Sequence, residues 1–137
     1  MGSANRGDGM DMAALEKTLK AGAEGKIGYA QLLSNLAQAG VDGYEVDVGV
    51  FRCVYNGGGQ TYEEEGHDFP PLKVADVFDP ALIAQAIAAN HAKPDYRRFL
   101  QGIARAGVVR YAVDTRKRTI AYRGAKAEIY QENIPRP

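Results

Sequence analysis

Residues 26–57 of this chain can be laid on residues 93–124 without a gap, at a constant offset of 67. The matches are Lys26/Lys93, Tyr29/Tyr96, Leu33/Leu100, Ala37/Ala104, Ala39/Ala106, Gly40/Gly107, Val41/Val108, Tyr44/Tyr111, Val46/Val113, Asp47/Asp114, Tyr55/Tyr122 and Gly57/Gly124. Twelve identities in 32 positions stand against about two expected from average residue usage, so we read one supersecondary unit used twice. A unit this short is near the lower limit for burying a core of its own, so the two copies should share one.

Within each copy the apolar period changes at the glycine. Asp11 is placed to cap a first helix carrying Met12, Leu15 and Leu19, which Gly22 and Gly25 end. A second helix is expected from Tyr29 to Ala39, with Tyr29, Leu32, Leu33 and Leu36 on one face and Gly40 just past its end. The second copy repeats this with Tyr96, Phe99, Leu100, Ile103 and Gly107; Asp95 caps it, and Arg98, Gln101 and Arg105 face solvent. The period then becomes 2: Tyr44, Val46 and Val48 in one copy, Tyr111 and Val113 in the other, as in strands with one buried face. Further strands are expected at Arg52–Tyr55 and Gln60–Glu63, and at Arg118–Tyr122 and Ala127–Tyr130. The segment His67–Asp79, with Pro70 and Pro71, connects the copies. Pro80 opens a helix over Ala81–Ala89, in which Ala81, Leu82 and Ala88 match Ala14, Leu15 and Ala21.

The economical fold is α+β: an internal duplication of a helix-helix-strand-strand-strand unit, making one antiparallel sheet with four helices on one face. Connections between strands are too short for parallel crossovers. Residues 11–137 form one domain of two repeats, 11–66 and 78–132, and the Gly-rich residues 1–10 read as a flexible leader outside it. With 45% hydrophobic and 25% charged residues the chain has a globular composition. No apolar run reaches the roughly 20 residues of a membrane span. A single cysteine, Cys53, excludes an internal disulfide framework and fits a cytoplasmic location.

Zero net charge conceals an asymmetry. Residues 11–66 hold four bases and nine acids, whereas residues 91–131 hold ten bases and three acids, so the copies stand near −5 and +7. Such a dipole points to self-association or to an acidic protein partner, and the acidic copy disfavours nucleic acid.

The doubled pattern of Tyr, Ala-Gly-Val, Tyr-x-Val-Asp, a Tyr-ended strand and a Gly turn is carried by Tyr29, Ala39-Gly40-Val41, Tyr44, Val46-Asp47, Tyr55 and Gly57. It recurs at Tyr96, Ala106-Gly107-Val108, Tyr111, Val113-Asp114, Tyr122 and Gly124. Over roughly residues 11–132 it resembles the bacterial YbcV-like proteins, a family of unknown function sometimes labelled phage envelope protein. The resemblance implies a fold, not a reaction, and supplies no catalytic residues. The stretch Ala127 to Glu132 departs from the His-x-Glu-x-Phe-Pro-like ending of such chains, so a role tied to that histidine does not carry over.

There is no P-loop, no strand followed by Gly-x-Gly-x-x-Gly, no His-Glu-x-x-His and no Cys-x-x-Cys, and no cofactor is implied. Gly57-Gly58-Gly59 reads as a hairpin turn. Cys53 aligns with Ile120 and reads as an apolar filler. His67-Asp68 with Glu63, Glu64 and Glu65 reads as a solvated acidic loop and not as a metal site. Asp47 and Asp114 are candidates because a pseudo-twofold could bring duplicated carboxylates together. The paired tyrosines are expected in the core with a hydroxyl at its edge. Arg116, Lys117 and Arg118 at a hairpin tip, supported by Arg110 and Arg123, form the basic candidate for a phosphate group or an acidic surface. The leading reading is a non-enzymatic binding or interaction module. An enzyme or small-molecule sensor with a pocket at the repeat interface is the alternative, and a phage-derived accessory protein is a third.

Overall fold

The computed structural model describes residues 9–65 and 70–136. Among them the chain runs α1 (Met12–Ala23), α2 (Tyr29–Gln38), β1 (Gly43–Asp47), β2 (Arg52–Gly57) and β3 (Gln60–Glu65). It continues with α3 (Pro80–Ala92), α4 (Tyr96–Arg105), β4 (Val108–Asp114), β5 (Thr119–Gly124) and β6 (Ile129–Asn133). The order helix, helix, strand, strand, strand therefore occurs twice. All six strands join one antiparallel sheet in the order β3-β2-β1-β4-β5-β6, so the halves meet where β1 pairs with β4.

Helix starts follow their caps. Asp11 accepts from the Ala14 amide, Asp79 from those of Ala81 and Leu82 ahead of α3, and Asp95 from that of Arg98 ahead of α4. Helix ends α2 and α4 run into Gly40 and Gly107, at φ 90° and 84°, a left-handed conformation that glycine adopts without a Cβ penalty. Gly58 and Gly59, at φ 55° and 78°, make the two-residue β2–β3 turn, the positive-φ pair that matches strand twist.

One sheet face is buried. Tyr44, Val46, Cys53, Tyr55, Tyr111, Val113, Ile120 and Tyr122 point towards the helices, where Leu33, Leu36, Leu100 and Ile103 are at most 1% exposed. Glu45, Arg52, Asn56, Arg110 and Arg123 alternate with them and lie exposed on the other face. The halves also lock by matching backbone bonds: Val48 N–H donates to Val109 C=O, and Thr115 N–H donates to Asp42 C=O, both at 3.1 Å.

Four expectations are corrected. Residues 9 and 10 belong to the fold: Met10 is buried, its amide donates to Gln60 Oε1 at 2.8 Å, and a side chain on Gly40 would strike Gly9 C=O. The first helices correspond at an offset of 68, not 67, because Asp11 and Asp79 are the caps and Leu15 and Ile83 the fully buried residues. Leu82 is consequently 38% exposed, and Met12 37%. The last strand spans Ile129–Asn133 and not Ala127–Tyr130, since Ala127 sits in the turn at φ 68°.

Candidate functional site

All eight tyrosines of the chain fall in one belt beneath the helices. Tyr29 at the start of α2 bonds hydroxyl to hydroxyl with Tyr44 at 2.7 Å, and Tyr96 at the start of α4 does the same with Tyr111. Tyr55 and Tyr122 extend the line outwards, donating to Glu64 at 3.2 Å and to Glu132 at 2.8 Å. Tyr62 and Tyr130 lie beside them in register on the edge strands. Tyr62/Tyr130 and Glu64/Glu132 match at an offset of 68, because the β5–β6 turn is longer than the β2–β3 turn. A gap-free alignment misses both pairs.

Burial dominates the electrostatics of this belt. It pushes the hydroxyls of Tyr29, Tyr44, Tyr55, Tyr96, Tyr111 and Tyr122 above the ordinary phenol value; in Tyr29 and Tyr96 the hydrogen bond to the partner tyrosine partly offsets the rise, whereas in the other four neighbouring groups add to it. Burial likewise pushes the Cys53 thiol up to about 12. These groups stay protonated at neutral pH, so they give and accept hydrogen bonds but supply no activated base or thiolate. Tyr29 and Tyr96 remain 40% and 38% exposed at the rim of the belt, unlike the core positions expected for them.

Asp47 and Asp114 share the open face but do not meet. In the β1–β4 ladder Gly43 faces Asp114 and Asp47 faces Arg110. The two carboxylates therefore stand at opposite ends of the seam, four residues or about 13 Å apart along the strands. Residues that match in the sequence thus lie at opposite ends of the antiparallel β1–β4 pair. Asp47 accepts from Arg110 Nε at 3.2 Å, whereas Asp114 accepts from the amides of Arg116 and Lys117 and so closes the hairpin turn.

The basic hairpin is divided in the same way. Arg118 is 6% exposed and held at φ 57°. Its guanidinium donates to Ile134 and Pro135 C=O, to Ala30 C=O and to Ser34 Oγ. It fastens the C-terminal segment to α2, and the expectation that it lies in an exposed cluster is corrected. Arg116 reaches Asp42 at 2.7 Å, and Arg110 reaches Asp47 and Glu45. Each of these arginines belongs to the basic half and binds the acidic one, so part of the charge asymmetry is satisfied inside the molecule. Lys117 is exposed.

A different basic surface lies on the helical layer. A groove of about 370 Å³ between α3 and α4 has Leu82, Ala86, Ala89, Phe99 and Gly102 among its walls, with Lys93, Arg98 and Arg105 around it. Asp95 is the acid in that lining, and it is occupied in capping α4. Lys93, Arg98 and Arg105 are exposed and have no ion-pair partner among the described residues. Close packing creates the floor: a Cβ on Gly102 would stand 3.0 Å from that of Ala86. The helical periodicity placed Arg98 and Arg105 in solvent, but only the pairing of the helices brings them together with Lys93.

Among the described residues no group of three potential metal ligands converges, and His67 and Asp68 lie outside those residues. No helix among the described residues is long and apolar enough to cross a membrane. No protein-family model matches the chain, and no curated protein matches it.

Proposed function

We propose that this protein is a non-enzymatic interaction module that holds an acidic protein partner against the helical layer of its basic half. The observation that carries this reading is the contrast between two charged surfaces. On the open sheet face Arg52 pairs with Glu63 and Arg110 with Asp47 and Glu45, and Arg123 is the one arginine of that face with no ion pair among the described residues. At the α3–α4 groove three cations have no such partner among the described residues. Unneutralised charge around an apolar floor attracts and orients a partner of opposite sign. The protonated tyrosines and thiol are consistent with binding in place of proton abstraction or nucleophilic attack. Membership of the YbcV-like family and a cytoplasmic location form part of this proposal, supported by the doubled sequence pattern and by the single buried cysteine.

The test is titration of a labelled, flexible Glu-rich peptide by fluorescence anisotropy. Binding is expected to weaken when salt rises from about 50 to about 200 mM, and to weaken in an Arg98→Gln/Arg105→Gln variant but not in Lys117→Gln. Binding that ignores salt and the two arginines, or no binding at all, would overturn the reading. A second reading, a small-molecule sensor, is favoured by the half-exposed Tyr29 and Tyr96 at the belt's rim. It requires that a small ligand change the hydroxyl pairing of these tyrosines, which tyrosine ultraviolet difference spectra would register.

A further inference from the structure

The α3–α4 groove has the form of a seat for a helix. Arg98, Gly102 and Arg105 follow one another at i, i+4 and i+7 on α4, and Leu82, Ala86 and Ala89 at i, i+4 and i+7 on α3, with Lys93 in extended backbone just past the end of α3. The small residues form the middle of the groove, and two arginines flank it two helical turns, or about 10.5 Å, apart. From this arrangement we propose that the partner element is an amphipathic α-helix carrying two acidic side chains seven residues apart, with large apolar side chains between them that enter over Ala86, Ala89 and Gly102. The inference rests on the acidic-partner reading and specifies its occupant.

The charge pattern selects this occupant. A fatty acid or another singly charged amphiphile meets one of the two arginines and leaves the other unpaired. A flat anionic membrane reaches the rim but not the concave floor. A helix with acids at i and i+7 meets both arginines while its i+3 and i+4 residues face the floor, the spacing used when a helix docks in a groove. The other half of the protein supplies an internal control. At the positions equivalent to Arg98, Gly102 and Arg105 it has Gln31, Asn35 and Gln38, and Gln31 donates to Asn35 at 2.8 Å. The same supersecondary unit there presents neutral amides.

The test uses the whole protein and a stapled 15-residue helix with Glu at i and i+7 and Leu at i+3 and i+4, followed by fluorescence anisotropy. It should bind about tenfold more tightly than its non-helical scramble and than the same helix with Lys for Glu, and Arg98→Gln/Arg105→Gln should remove about tenfold. Ala89→Gln, which narrows the floor without touching the charges, should weaken the stapled helix and spare the flexible Glu-rich peptide. If the scramble binds as well as the helix and both need the arginines, the helical occupant is wrong and the acidic-partner reading stands. If neither peptide needs them, both fall. Tighter arginine-dependent binding of laurate or of phosphatidylglycerol vesicles than of the helix would overturn the proposal in favour of a lipid.

Discussion

The α1–α2 and α3–α4 hairpins both pack into the core beside one sheet, yet they present different chemistry to solvent. Their inward faces agree: Leu33 and Leu100, and Leu36 and Ile103, are all buried to within 1%. Their outward faces diverge at Gln31/Arg98, Asn35/Gly102 and Gln38/Arg105. A buried face must match a shared core, where a change of one methylene is felt. An outward face answers only to solvent and partners, so it can acquire a groove and a charge without disturbing the fold. The hairpin tips give the same lesson in reverse. Phe51 and Arg118 match by offset, but Phe51 packs on Tyr96 at the edge of the core, whereas Arg118 ties the C-terminal segment to α2.

The largest expected effect tests whether the two halves of the tyrosine belt act as one. Tyr44, Tyr55, Tyr111 and Tyr122 are buried and their ionisation is raised. The folded state thus binds more protons than the unfolded one once pH exceeds the unfolded phenol value near 10. Stability is intact below that pH and falls above it, by about 1.4 kcal/mol per tyrosine for each further pH unit. Four such groups together approach the whole stability of a domain this size. Tyrosinate absorbance and circular dichroism should therefore change together in one step near pH 11. Two separate steps would show that the halves unfold independently.

Next in size is a matched pair of cavities. Leu33→Ala and Leu100→Ala should each cost about 2–5 kcal/mol in urea unfolding, because both side chains are fully buried at equivalent places. A loss below about 1 kcal/mol in either would break the equivalence of the two helix faces. The smallest difference concerns the basic hairpin. Arg118→Gln should cost about 1–3 kcal/mol, since it strips a buried guanidinium's donors from the Ile134, Ala30 and Pro135 carbonyls, while the exposed Lys117→Gln should stay within about 0.5 kcal/mol. Equal effects would mean that Arg118 is a solvated tip residue after all.

Much of the fold was legible because it is written in local periodicity and in end signals. Apolar spacing with Asp11, Asp95, Gly40 and Gly107 placed both helices of each half within a few residues of their observed ends. Alternation in Tyr44–Val48 and Tyr111–Val113 placed the two central strands and their buried face. The functional surface was less legible. Asp47 and Asp114 looked paired because they repeat, but antiparallel pairing put them at opposite ends of the seam. Arg116, Lys117 and Arg118 looked like one basic patch because they are consecutive, whereas each meets a different environment.

The sequence by itself determined the element order, the Asp11 and Asp95 caps, the turn glycines and the sidedness of the strands, since these depend on neighbours a few residues away. Tertiary structure decided where the charges ended. Arg110 reaches Asp47 across 63 positions, Arg116 reaches Asp42 across 74 and Arg118 reaches Ala30 across 88. Lys93, Arg98 and Arg105 gather around one groove only because α3 packs closely on α4 at Ala86 and Gly102. The physical reason is range: backbone conformation is set by local sterics and hydrogen bonds, while the partner of a long, flexible charged side chain is set by which distant segments the shared core brings within its reach.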